Sequence, residues 1–295
     1  GNLNTAFGQD ALKYNTTGSE NVAVGYQSLN FNTTGSDNSA SGFQALIRNT
    51  TGINNSSFGT QSQFWSTSGS YNAAMGSQAL YSNVTGNANS IFGYQAGFGQ
   101  SDNSFSSSTM MGYQAGYANT TGSKNIFLGY MAGDNNTSGS NNIVIGSDID
   151  VASGTLSNQL NIGNIIYGTN INGTGSTIST GNIGIGTTTP GYKLMVFGGA
   201  GEKLFQVATS TDNNIFYINE NGRVGIGTTT PSTKLDVSGT VRATGLQITT
   251  GAGANKVLTS DASGTATWQP HLALDCQTVV NSSCNAALWT SADES

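Results

Sequence analysis

A five-residue phrase, Asn-x-small-apolar-Gly, returns along this chain at a nearly constant interval. It ends at Gly8, Gly25, Gly42, Gly59, Gly76, Gly93, Gly112, Gly129, Gly146 and, in weaker form (QLNIG), at Gly163. Successive glycines lie 17 residues apart, with a single interval of 19 between Gly93 and Gly112. A period this strict implies stacked repeats, each burying its apolar side against its neighbours. Seventeen residues are too few for a helical hairpin repeat, which needs roughly 33. They suit a β-coil with straight stretches of about four to six residues between corners.

Each position of the repeat carries its own residue type. One residue after the glycine stands an aromatic in several coils (Tyr26, Phe43, Tyr94, Tyr113, Tyr130), and two after it stands Gln (Gln27, Gln44, Gln61, Gln78, Gln95, Gln114). The third is small, and the fourth is Leu12, Leu29, Leu46 and Leu80 early but Gly97, Gly116 and Gly133 later. An Asn-Thr-Thr-Gly turn follows, as in Asn15 to Gly18 and Asn119 to Gly122. Asn and Gly tolerate positive φ, so these turns are expected to be corners with left-handed backbone. Stacked coils lie about 4.8 Å apart, so ten phrases predict a rod on the order of 45 Å long. Identical side chains then fall above one another, Gln on Gln and Tyr on Tyr, satisfying amides between coils.

Alternate residues of a strand face opposite ways. The residue before each glycine is usually large (Phe7, Val24, Phe58, Met75, Phe92, Met111, Leu128, Ile145) and is expected to fill the coil. The residue before that is small early (Ala6, Ala23, Ala40, Ser57, Ala74) and apolar later (Ile91, Met110, Phe127, Val144). Strands apolar on both faces are covered on both. A thin coil has one inside, so the second face predicts a homo-oligomer of parallel, in-register chains.

Composition narrows the function. Charged residues make up 8% of the 295, with a net charge of −6 and nine Lys and Arg in all. Nucleic-acid binding needs basic clusters, so it is not expected. No apolar run approaches the roughly 18 residues of a membrane-spanning helix. Although 41 glycines and many Asn, Ser and Thr are compatible with disorder, nine intervals in phase argue for order. Cys276 and Cys284 allow one disulfide or two free thiols.

The head phrase, with its NVAVG and NIVIG variants, resembles the heads of trimeric autotransporter adhesins over roughly residues 1–165. That resemblance implies a left-handed parallel β-roll wound as a trimer, although the coils of those heads are shorter than 17 residues. Beyond Gly163 the ruler stops, and a second repeat begins. GIGTTTP starts at Gly184 and again at Gly225, separated by strands expected over 203–208 and 214–219. Pro190 and Pro231 are expected to end strands or lie at edges, and strands are expected to continue through TVRATGLQI, KVLTS and TATWQP. GIGTTTP followed by KLDVSG and TVRATG resembles the shafts of phage tail fibres and related bacterial surface fibres. The resemblance implies that a self-cleaving trimerisation chaperone would follow, with SADES at Ser295 where such a fibre ends after processing.

The expected organisation is all-β. A β-solenoid head (1–165) leads through a transition (166–181) into a β-shaft (182–250) and a C-terminal β segment (251–295). No catalytic constellation, cofactor loop or metal-ligand spacing is legible. His271 has no partner in a motif, the acids are isolated, and the glycine-rich stretches lack a following helix. Sequons at Asn15, Asn32, Asn49, Asn83, Asn119, Asn136, Asn172 and Asn281 are read as corner turns. The expected role is an extracellular homotrimeric fibre attaching a cell or virion to a surface glycan or protein, without enzymatic activity. Phe64, Trp65, Phe98 and Phe105 are the candidate contact residues, the last two flanking the two-residue insertion, because loops and exposed aromatics carry binding. Rival readings are a spacer without ligand, an ice-binding solenoid using Thr16, Thr33 and Thr50, and a carbohydrate-degrading tailspike.

Overall fold

The structure, a computed structural model, describes residues 1–100, 103–198, 204–208, 214–245, 247–254 and 256–270. His271, Cys276 and Cys284 lie outside the described residues, as do residues 101 and 102 of the insertion. The chain divides into two units, Gly1–Ser238 and Gly239–Ser295. All regular structure among the described residues is β.

The repeat builds a parallel β-solenoid. Every coil contributes one three-residue strand, from Thr5–Phe7 and Val22–Val24 through Ile143–Ile145 to Leu160–Ile162. These pair in parallel and in register, Ala23 with Ala40 and Phe127 with Val144. The remaining residues turn, yet their amides bond from coil to coil, as in Leu29 N to Ala45 O (3.1 Å) and Thr33 N to Thr50 O (3.0 Å). The coil therefore satisfies its backbone with only a small part of it in strand geometry. The expected Gln column is present, with Gln44 Nε2 donating to Gln27 Oε1 (2.9 Å) and Gln114 Nε2 to Gln95 Oε1 (2.8 Å).

The two faces of the strand are the reverse of the expectation from residue size. The middle residue points inward: Ala23, Ala40, Ala74, Ile91, Met110, Phe127 and Val144 are fully buried. The larger Phe7, Val24, Phe58, Met75, Phe92, Met111 and Ile145 are exposed. The reason lies across the coil. Where the strand centre is Ala40 or Ala74, the opposite wall supplies Leu46 or Leu80, both buried. Where the centre is Met110 or Phe127, the opposite wall is Gly116 or Gly133. A Cβ on Gly116 would meet Met110 Sδ at 2.4 Å, and one on Gly133 would meet Phe127 Cδ1 at 2.7 Å. Bulk passes from one wall to the other while each coil stays filled, as close packing demands.

Positive φ also falls elsewhere than on the Asn-Thr-Thr-Gly turns. It occurs at Gln27 (54°), at Leu46 (51°) and just before the phrase, at Glu20 (59°). The turn glycine is required by crowding instead: a Cβ on Gly35 would lie 2.4 Å from Gly52 O and 2.5 Å from Asn32 Oδ1. Those asparagines form a buried column in which Asn49 Nδ2 donates to Asn32 Oδ1 (2.7 Å) and to Gly52 O (3.0 Å). A second column opens each phrase, with Asn55 N and Nδ2 both donating to Asn38 Oδ1 (3.0 Å). The sequon asparagines Asn32, Asn49, Asn83, Asn119 and Asn136 are thus buried and engaged.

One coil breaks these rules. Gln63 occupies the inward Leu position and is fully buried, with its Oε1 unpartnered. Ser66 replaces the column asparagine, and among the described residues its own Oγ and Asn49 Oδ1 have no partner. Gln63 has φ 52°, matching the 51° and 54° of Leu46 and Leu80. Gln63→Leu should therefore stabilise the chain by about 1 kcal/mol, because the buried orphan it removes costs more than the Nε2 bond to Ser56 O (3.1 Å) lost with it contributes, and no new strain is added. Denaturant unfolding checks this, and an unchanged or lower midpoint would contradict it.

After Leu160–Ile162 the sheet reverses direction. Ile166–Gly168 pairs antiparallel with the last coil and then with Ile183–Ile185, which pairs in parallel with Leu194–Val196. The two GIGTTTP copies are built alike. Val224–Ile226 pairs in parallel with Leu235–Val237, as Ile183–Ile185 does with Leu194–Val196. Pro190 and Pro231 are buried in the connecting turns rather than ending strands. Each offers its carbonyl to the side chain two residues before its copy, Asn182 Nδ2 (2.9 Å) or Arg223 Nη1 (3.1 Å). The strands expected between the copies are present as Phe205–Ala208 and Asn214–Ile218, and they pair antiparallel. In the second unit, Lys256–Ser260 and Ala266–Pro270 form a hairpin. TVRATGLQI, at 240–248, is not a strand over its described residues.

Candidate functional site

Two surfaces of the solenoid differ from an ordinary polar exterior. The first is the outer face of the strand column. It carries the exposed row from Phe7 to Ile145, flanked by Val22 and Ile126 and by the row one past the glycine. In that last row Tyr26 stacks on Phe43 (5.3 Å), and Tyr94, Tyr113 and Tyr130 form a run (5.4 and 5.2 Å). None of these three rows holds a charged residue from Thr5 to Ile145. Charges are confined to other edges, as in the Lys13–Asp10 pair (3.1 Å).

The second surface is the edge formed by the fifth and sixth residues after each glycine. Tyr14 stacks on Phe31 (5.3 Å) in the sixth-residue column. Phe64, Tyr81, Phe98 and Tyr117 stack in the fifth, at 5.1, 4.9 and 5.2 Å, with planes within 13° of parallel. Trp65 meets Phe64 edge-on at 5.5 Å. The Arg48 guanidinium lies 3.8 Å from the Trp65 ring centre and 5.7 Å from that of Phe64. Among the described residues it has no hydrogen bond or ion pair. A cleft of about 300 Å³ opens beside it, lined by Phe31, Arg48, Thr50 and Thr67.

Of the four residues singled out in the sequence, Phe64, Trp65 and Phe98 share this edge. Phe105 does not: it is fully buried, its ring filling the space over Gly97 (3.2 Å from a Cβ there). Rings stacked face to face present edges outward, so a sugar finds a free ring face only where a column breaks. Arg48, Phe31, Tyr81 and Tyr117 were not singled out. Placing each residue relative to its glycine would have found the ring columns, since Phe31 and Trp65 are both sixth.

The solenoid also gathers acids that the sequence keeps apart. Asp134 is hydrogen-bonded to Asp150, near Asp148. Partial burial, then the charge and hydrogen bond of Asp150 and the charge of Asp148, push the Asp134 carboxyl up to about 6. The pair sets a pH dependence. The folded chain holds this proton more tightly than the unfolded one, so the contribution is full below about pH 4 and is lost as pH rises through 6. Asp134→Asn should flatten this slope and raise Tm by about 1–2 °C at pH 7.5, a small effect because Asp134 is only partly buried. Equal slopes in thermal melts from pH 4 to 7.5 would contradict it.

The threonines proposed for ice face the backbone. Thr16, Thr33 and Thr50 donate their hydroxyls to the next coil's carbonyls at 2.8–2.9 Å. No group of three or more metal-ligating acids, histidines or cysteines occurs among the described residues, and no described helix is long and apolar enough to cross a membrane. No known protein family, curated protein or solved structure matches the chain.

Proposed function

We propose that the chain is a segment of an extracellular fibre. Copies associate side by side through the outer strand face, as a parallel trimer, to attach a cell or virion to a surface without catalysis. The observation that carries this reading is the uncharged strip along the coils, whose central row exposes Phe7, Val24, Phe58, Met75, Phe92, Met111 and Ile145 and is broken by Ser41. Soluble monomers seldom expose so many large apolar side chains in one row unless they meet a partner. A copy of the same chain is the natural partner, because its strip has the same 17-residue spacing and the same lack of charge. Symmetric repetition then presents each side edge several times, which raises avidity without new contacts.

Attachment separates from passive spacing by experiment. Beads coated with the full chain should be retained on bacterial or host-cell surfaces, and soluble chain should compete them off. Retention no greater than that of uncoated beads would sink attachment and leave a spacer.

A further inference from the structure

We infer that the cleft between Phe31 and Arg48 binds a carboxylate-bearing sugar, a uronic or sialic acid unit of a surface polysaccharide. The inference rests on the attachment reading and names the ligand class. Its starting point is a break in a column. The sixth-residue column runs Tyr14, Phe31, Arg48, Trp65. Tyr14 covers one face of Phe31, and another ring at position 48 would cover the other. Arginine stands there instead and leans away, 3.8 Å from Trp65. Phe31 and Arg48 line the cleft of about 300 Å³, in which an exposed part of the Phe31 ring faces open space.

The walls suit a sugar ring with an acid group. Thr50 and Thr67 have committed their hydroxyls to Thr67 O (2.9 Å) and Val84 O (3.3 Å). A C–H face of a pyranose therefore meets a mostly apolar cleft holding one directional polar group, the usual make-up of a ligand pocket. That group is the sole arginine of the first 165 residues. Trp65 holds its plane, leaving the N–H fork open for a bidentate carboxylate. An acidic peptide offers the carboxylate but no flat ring to lie against Phe31.

The test measures binding of the full chain to immobilised polygalacturonate and polysialate, with dextran and polyglutamate as references. Wild type should bind at least one acidic polysaccharide and not dextran. Arg48→Ala and Phe31→Ala should each weaken that binding tenfold or more, and Arg48→Lys, which keeps charge without the fork, should fall between. Both positions are exposed, so unchanged circular dichroism and mass are expected to show an intact solenoid. Three results overturn the proposal: binding to neither acid, wild-type binding by Arg48→Ala, or equal binding to polyglutamate that is indifferent to Phe31→Ala. A chain that binds neither acid yet stays oligomeric loses the site and keeps the fibre.

Discussion

Gly133→Leu should destabilise the solenoid by about 3 kcal/mol or more, and Phe127→Ala by about 3–5 kcal/mol, yet the double variant should lose about 3 kcal/mol less than the two losses summed. The two residues fill one space from opposite walls. A Cβ at 133 already meets the Phe127 ring at 2.7, 2.8 and 2.9 Å, so leucine alone overfills the coil. Alanine alone at 127 empties it, since Phe127 is fully buried. Together they recreate Ala40 with Leu46 or Ala74 with Leu80, which other coils use. Backbone strain does not forbid the exchange: Gly133 has φ 63°, and Leu46 and Leu80 hold 51° and 54° at the same position. Recovery should be incomplete, because Phe127 also fills space over Gly116 (2.9 Å). The double-mutant cycle should give a favourable coupling of about 3 kcal/mol, the upper end for residues in contact. Additive losses would mean that the walls do not share a core.

The pair Met111→Lys and Ile145→Lys should reduce the associated state to single chains without unfolding them. Met111 is 51% exposed and Ile145 38% exposed in one chain, so lysine at either position removes little of that chain's own core. The positions lie two coils apart, with Leu128 between them in the column, so the charges do not abut within a chain. In a parallel in-register assembly each lysine meets its own copies, which combines desolvation with like-charge repulsion. Mass should fall to that of a monomer while circular dichroism stays unchanged. Retention of the wild-type mass would place the contact on another face.

The period made the fold legible, since 17-residue spacing leaves only a stack of short β-coils, and the Gln column follows from stacking alone. Which strand face points inward was not legible from the size of any one residue, because bulk is shared between the two walls of a coil. Ala40 is inside because Leu46 opposes it, and Phe58 is outside although it is larger. Positive φ was placed on the Asn-Thr-Thr-Gly turns by propensity, yet stacking imposes it on Gln27 and Leu46, while the turn glycines answer to crowding. At the candidate site the aromatics Phe64, Trp65 and Phe98 were visible as types. Arg48 was not, because its meaning depends on interrupting a column of rings. The place of Phe105 was not legible either, because an aromatic beside an insertion can turn in or out, and this one turns into the core over Gly97.

Light scattering of the full chain across a wide dilution series is the most direct measurement of whether copies cover the outer strand face. A mass near three times 30.2 kDa, unchanged on dilution, is the expected result. A constant mass of one chain would contradict it and leave the strip from Phe7 to Ile145 exposed to water.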